Sequence, residues 1–86
     1  MKAVAEKEMK RMEEIFSKIE VLNKLQADEF YSFAENYFED GKHFFGKGKY
    51  IESFEAFIIS WAYIDAGLKL SFFKVPSNLK KYFTVD

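Results

Sequence analysis

The sequence contains no cysteine, one proline, four glycines and a single arginine among 86 residues. Without cysteine the chain has no disulfide framework, no thiolate nucleophile and no cysteine-based zinc site. Bidentate recognition of phosphate or carboxylate relies on the guanidinium group, so a chain whose only arginine is Arg11 is poorly equipped for it. These absences exclude disulfide-stapled folds and make thiol chemistry and arginine-based anion binding poor explanations of function.

The chain also lacks a charge excess and a long apolar run. Thirteen basic and fourteen acidic residues give a net charge of -1, which provides no overall field to attract nucleic acid or an anionic membrane. No apolar run reaches the roughly 18 residues of a membrane span, and residues 1–25 are too charged for a signal peptide. We therefore expect a soluble cytoplasmic protein with one domain over residues 1–86.

Lysine, glutamate and aromatic residues are abundant. Twelve lysines accompany one arginine, ten glutamates accompany four aspartates, and aromatic residues make up 20% of the chain. Lysine and glutamate enrichment without cysteine is typical of proteins from hot habitats, so the composition favours a thermophile.

Apolar residues recur at spacings of three and four, which predicts an all-α protein. A first helix, about 3–25, is predicted by the stripe Ala5, Met9, Met12, Phe16 and Ile19. The stripe loses its register at Asn23 and Gln26, and Asp28 is suited to cap a new helix. We place a break near 26–28, although one continuous helix over both segments also fits.

The rest of the chain predicts a helical hairpin followed by a tail. A second helix, about 28–46, is separated from a third, about 49–72, by the turn Gly46-Lys47-Gly48-Lys49. In the third helix small residues form a ridge that allows close approach of a neighbouring backbone: Ser53, Ala56, Ser60 and Gly67. The predicted fold is a three-helix up-down bundle with a tight hairpin between helices two and three and a short C-terminal helical tail near 79–83.

The spacing of aromatic and small residues in the hairpin resembles one tetratricopeptide unit. The residues assigned to hairpin packing are Tyr37, Gly41, Phe44, Gly48, Tyr50, Ser53, Phe57 and Trp61. Asp40 and Asp65 stand where that repeat has leucine and proline, and there is no second copy, so we interpret the pattern as convergent packing. Gly41 and Ser53 are then expected to mark the closest approach of helices two and three.

A longer resemblance runs over most of the chain from about Ala34. It rests on the segments Ala34-Glu35-Asn36-Tyr37-Phe38-Glu39-Asp40, Lys42-His43-Phe44, Lys47-Gly48-Lys49-Tyr50 and Trp61-Ala62-Tyr63-Ile64-Asp65-Ala66-Gly67-Leu68. These resemble a small archaeal family known as domain of unknown function 357. The resemblance implies archaeal origin and a short helical bundle, and it implies no activity. Ser53 and Ser71 stand where similar chains are expected to carry alanine and glycine.

Asp40, His43 and Asp65 are the residues most suggestive of a metal or proton-transfer site. In an antiparallel hairpin His43 lies near the turn and Asp65 about five turns away, so roughly 19 Å separates them. Nucleophilic catalysis would need a serine beside the single histidine, and the glycine turn lacks the spacing of a phosphate-binding loop. We therefore expect no enzyme activity, no metal site, no cofactor and no small-molecule substrate.

Asp65 itself lies beside the apolar stripe of the third helix, so we expect a buried polar residue that needs a partner. A tyrosine hydroxyl, a lysine amine and backbone N–H groups at the start of helix two are the candidates. A structural hydrogen bond is favoured over a role as a catalytic acid, because no second carboxylate or base lies within reach.

The far side of the third helix carries a candidate interface formed by Ile59, Tyr63, Ala66 and Leu70. Either the tail covers it with Val75, Leu79 and Phe83, or a second copy pairs across a two-fold axis, and we favour a homodimer. The sequence thus predicts a non-catalytic protein-interaction or self-association module. The alternative is a nucleic-acid accessory protein that binds through its basic tail, with Tyr82 and Phe83 stacking on bases.

Overall fold

The structure, a computed structural model that describes residues 1–85, is built from three helices. Helix α1 spans Lys2–Lys18, α2 spans Lys24–Gly46 and α3 spans Tyr50–Lys69. Two short strands, β1 at Glu20–Val21 and β2 at Phe73–Lys74, flank α2 and α3, and a 3₁₀ helix at Ser77–Tyr82 forms most of the tail, residues 75–85. The predicted all-α bundle of three helices with a short C-terminal helical tail is confirmed.

The predicted end of the first helix near residue 25 is wrong, because α1 ends at Lys18. The next residue, Ile19, is extended, and β1 pairs antiparallel with β2 so that Val21 faces Phe73. Ile19 and Val21 are β-branched, which favours the extended backbone that this pairing requires. The predicted break at 26–28 with Asp28 as cap is also wrong, since α2 begins at Lys24 after Asn23.

The third helix ends at Lys69 rather than near residue 72. The Phe72 N–H donates to the Gly67 carbonyl at 2.8 Å, and the Ser71 N–H donates to the Leu68 carbonyl at 3.2 Å. This is the Schellman arrangement, which requires a left-handed residue just after the helix. Ser71 is that residue, with φ 61°.

The same arrangement ends α2 at Gly46, where the sequence predicted the turn. The Lys49 N–H donates to the Phe44 carbonyl at 2.9 Å, and the Gly48 N–H donates to the Phe45 carbonyl at 3.0 Å. Here the left-handed position is filled by Gly48, with φ 74°. The two helix ends therefore differ in one respect: a glycine adopts the left-handed backbone after α2 and a serine does so after α3.

Replacing Ser71 with glycine is expected to raise the free energy of unfolding by about 0.5–1 kcal/mol, because glycine adopts the left-handed region without the steric cost that a Cβ carries. Ser71 is exposed, so no buried contact is lost. Ser71→Ala is the control, since alanine keeps the Cβ and should not raise the free energy of unfolding. Urea unfolding followed by circular dichroism measures both changes, and equal stability of the glycine and alanine variants would contradict the explanation.

The hairpin of α2 and α3 is held by two buried serine hydroxyls. Ser53 Oγ donates to the Gly41 carbonyl at 2.7 Å, and Ser60 Oγ donates to the Ala34 carbonyl at 2.6 Å. Serine is small enough to let the helices approach and polar enough to bond to the facing backbone. Helix α1 closes the core from one side with buried Ala5, Met12 and Ile15, and its Phe16 ring stacks on Phe38 with 4.8 Å between centroids.

Candidate interaction surface

The residues considered for metal or catalytic chemistry are not brought together. Within residues 1–85, no group of three or more histidine, cysteine, aspartate or glutamate side chains is placed to hold a metal ion. His43 is exposed on α2, whereas Asp65 is only 7% exposed. Over the same residues, no helix combines the length and the apolar character that crossing a membrane requires.

Asp65 fastens the tail to α3. Its carboxylate accepts hydrogen bonds from the Thr84 backbone N–H at 2.9 Å and from Thr84 Oγ1 at 2.8 Å, and Lys69 Nζ lies at 3.3 Å. Of the partners expected from the sequence, the lysine amine is present, but the backbone N–H comes from the tail and not from the start of α2. Burial alone would raise the pKa of Asp65, yet the Thr84 hydrogen bonds and Lys69 together lower it.

Trp61 and Tyr82 complete the attachment of the tail. Trp61 Nε1 donates to the Tyr82 carbonyl at 2.7 Å, and the Phe83 ring stacks on Trp61 with 6.1 Å between centroids. The Tyr82 hydroxyl donates to Glu14 at 3.0 Å, which raises the pKa of Tyr82. Trp61, assigned from the sequence to the hairpin, therefore contacts the tail. The two rings suggested for stacking on nucleic-acid bases already have partners inside the protein.

The four residues of the candidate interface lie on another side of α3. Ile59 is 40% exposed and Leu70 is 55% exposed, whereas Ala66 and Tyr63 are half-buried. Three of the four line a shallow apolar groove of about 360 Å³, which we call the open groove: Phe30, Ile58, Ile59, Ala62, Tyr63 and Ala66. The open groove is lined by α2 and α3, and the tail packs on the Trp61 side instead. The tail, one of the two segments considered as a cover for this surface, therefore packs against a different side of α3.

Tyr63, which lines the open groove, packs against three aromatic side chains of α2. Tyr63 stacks on Phe33 at 5.3 Å and on Tyr37 at 6.1 Å between centroids, and it meets Phe30 edge-on at 5.9 Å. Phe33 remains 40% exposed despite this contact. Because Tyr63 is held by these three rings, it gives the open groove a preformed apolar surface.

The charged residues around the open groove are separated along α3. Towards the hairpin turn, a second depression of about 250 Å³ adjoins it through Ile59 and is lined by Asp40, Glu52 and Glu55 together with Tyr37, Phe44 and Ala56. At the other end of α3 lies Lys69, whose side chain is 53% exposed. One end of the surface is therefore acidic and the other carries a lysine.

The remaining residues assigned to hairpin packing lie in or beside the turn. A Cβ built on Gly41 would lie 2.4 Å from Phe57 Cε1, and Phe57 is fully buried. The Phe45 and Tyr50 rings meet across the turn at 5.3 Å between centroids.

Sequence reasoning missed Phe30, Ile58 and Ala62 as groove residues. Ala62 could have been found from its spacing of three and four residues from Ile59 and Ala66.

Together these features define a small α-helical bundle protein that has an open apolar surface and whose buried carboxylate is occupied by structural contacts. The chain belongs to the family described as protein of unknown function (DUF357), whose family model matches residues 3–73. The sequence resemblance is thus confirmed, and it extends in front of Ala34 to include α1.

A solved structure shares this fold. The crystal structure of protein AF1782 from Archaeoglobus fulgidus, a protein of the same family, superimposes with a TM-score of 0.74 at 25% sequence identity. The superposition covers 87% of this chain and 92% of that one. No curated protein matches the chain.

Proposed function

We propose that the chain is a non-catalytic interaction module that binds a helix of a protein chain through the open groove between α2 and α3. The observation that carries the proposal is the combination of shape and chemistry in this groove. The groove is shallow, about 360 Å³ in volume, and lined only by apolar and aromatic residues. Grooves of this kind accept the apolar side of an amphipathic helix.

The energetics of burial support a partner for this surface. Phe33, Ile59 and Leu70 are each at least 40% exposed on or beside the groove. Removing apolar surface from water stabilises by about 25 cal/mol per Å², so covering several such side chains contributes kilocalories to association. Isolated exposed apolar residues need no explanation, but a contiguous patch rimmed by charged residues is typical of an interaction site.

A non-catalytic role is supported by the hydrogen bonds of the buried polar side chains, which engage them in holding the fold. Both carboxylate oxygens of Asp65 accept hydrogen bonds from Thr84, so this carboxylate is engaged in holding the tail. Ser53 and Ser60 donate to backbone carbonyls inside the hairpin. A nucleophile needs a neighbouring base within hydrogen-bond reach, and these serines bond to the backbone instead.

The proposal is tested on the protein isolated under native conditions from the cells that make it, with the mass of the particle measured by light scattering. We expect a mass well above the 10.2 kDa of the chain. Ile59→Asp places a charge in the groove and should reduce the particle to the mass of the chain. Ala3→Asp makes the same apolar-to-acidic change at an exposed position of α1 and should leave the particle intact. A parent protein at the mass of one chain, or equal effects of the two changes, would contradict the proposal.

A further inference from the structure

Five residues on the exposed side of α3 form a regular seam: Glu55, Ile59, Ala62, Ala66 and Lys69. They are separated by four, three, four and three residues. This spacing averages 3.5 residues, the repeat with which helices pack side by side with interlocking side chains. The seam runs along the open groove, to which it contributes its three central members.

The two ends of the seam carry opposite charges, so the seam is complementary to a second copy of itself that runs in the opposite direction. Its N-terminal end carries Glu55, with Glu52 one turn earlier, and its C-terminal end carries Lys69. Ala62 is midway between Glu55 and Lys69, which are about 21 Å apart along the helix at 1.5 Å per residue. Rotation by 180° about an axis through Ala62 therefore brings the glutamate end of one seam to the lysine end of another.

From this arrangement we infer that the open groove is occupied by the α3 helix of a second copy of the chain, antiparallel and related by a two-fold axis at Ala62. This inference rests on the proposed function and names its partner. Glu55 of each copy then lies opposite Lys69 of the other, and Ile59 packs beside Ala66 of the other copy. The small side chains of Ala62 and Ala66 allow the two helices to approach closely.

A parallel pairing is disfavoured by the same charges, because it would place Glu55 opposite Glu55 and Lys69 opposite Lys69. A helix from an unrelated protein would have to carry a base at one end and an acid at the other in this register, which the chain itself supplies. Lys69 also lies 3.3 Å from Asp65 within its own chain. When the half-exposed lysine side chain turns towards Glu55 of the second copy, the Asp65 carboxylate keeps its two hydrogen bonds from Thr84.

The pairing is tested with two charge reversals in the purified recombinant chain, alone and mixed. Glu55→Lys places lysine opposite lysine in its own homodimer, and Lys69→Glu places glutamate opposite glutamate. Each variant alone should dimerise about 10-fold more weakly than the parent or worse. Mixed in equal amounts they restore both pairs of opposite charges, so a 1:1 heterodimer should form with an affinity close to that of the parent homodimer.

Native mass spectrometry and sedimentation equilibrium separate the three species, and circular dichroism verifies that each variant is folded. Glu35→Lys is the control, because it makes the same charge reversal at an exposed position of α2 outside the groove and should leave dimerisation unchanged. A parent chain that stays monomeric up to about 1 mM overturns the inference. That result leaves the proposed function to be decided by the particle mass of the protein isolated from its own cells. A dimer that Ile59→Asp dissociates but that shows no heterodimer preference overturns the antiparallel pairing alone.

Discussion

Leucine in place of Gly41 is expected to lower the free energy of unfolding by about 1–3 kcal/mol, the usual cost of overpacking a core. A Cβ at this position would lie 2.4 Å from Phe57 Cε1 and 2.6 Å from Phe57 Cδ1. Phe57 is fully buried and cannot swing aside, so the hairpin has to open. Opening it also lengthens the 2.7 Å hydrogen bond from Ser53 to the Gly41 carbonyl.

Two comparisons make this result specific. Gly46→Leu adds the same side chain at the end of the same helix, where a Cβ meets nothing within 4 Å, and should cost no stability. Phe57→Ala alone should cost about 3–5 kcal/mol through the cavity it leaves. In the double variant, the cavity left by Phe57→Ala accommodates the leucine at position 41. The double variant should therefore lose less free energy of unfolding than the sum of the two single losses. Additive losses in urea unfolding would show that Gly41 and Phe57 do not share this space.

Asparagine in place of Asp65 is expected to cost about 1.5–3 kcal/mol at neutral pH, the range for hydrogen bonds to a charged group. The carboxylate accepts from both the backbone and the hydroxyl of Thr84, whereas an amide offers one oxygen and directs an NH₂ group at the other donor. Because these bonds hold the tail, protection of the Thr84 amide from hydrogen exchange should fall together with the global stability.

The effect of Asp65 also depends on pH. Its pKa is lowered in the folded protein, so the folded state favours the ionised carboxylate. The stabilisation is therefore complete above the pKa of the unfolded chain, about 4, and is lost as the pH falls through the lower pKa of the folded state. The difference in unfolding free energy between the parent and Asp65→Asn should be constant from about pH 6 to 7 and shrink below about pH 4. Asp28→Asn makes the same change at an exposed position of α2 and is the control for the substitution itself. A difference that persists at low pH would contradict a role for the ionised form.

The parts of the fold that depend on local sequence could be predicted, and the parts that depend on distant segments could not. Gly46 and Gly48 mark the end of α2 because the Schellman turn is built from neighbouring residues. The end of α1 depends on the pairing of Val21 with Phe73, which lies near the other end of the chain. The stripe containing Ile19 gives no sign of that pairing, since Ile19 fits a helix as well as an extended segment.

The same distinction holds for the candidate site. The position of Asp65 beside Trp61 predicted that its carboxylate needs a partner, but Thr84 could not be identified without knowing where the tail lies. The resemblance to related chains marked residue 71 as a glycine position, and the left-handed backbone of Ser71 explains why glycine suits it. Ala62 was overlooked because an alanine adds little to an apolar stripe, although its small size is what a close helix contact requires.

Disulfide trapping at Ala62 tests most directly the claim that the open groove binds a second copy. The chain has no cysteine, so Ala62→Cys introduces a single thiol, and the two-fold axis would place two such thiols against each other. A disulfide requires Cα atoms within about 7 Å, so only a close and symmetric contact permits it. Mild oxidation should convert folded Ala62→Cys to a covalent dimer much faster than Ala3→Cys, which carries its thiol at an exposed position of α1. Equal rates for the two variants would contradict the account.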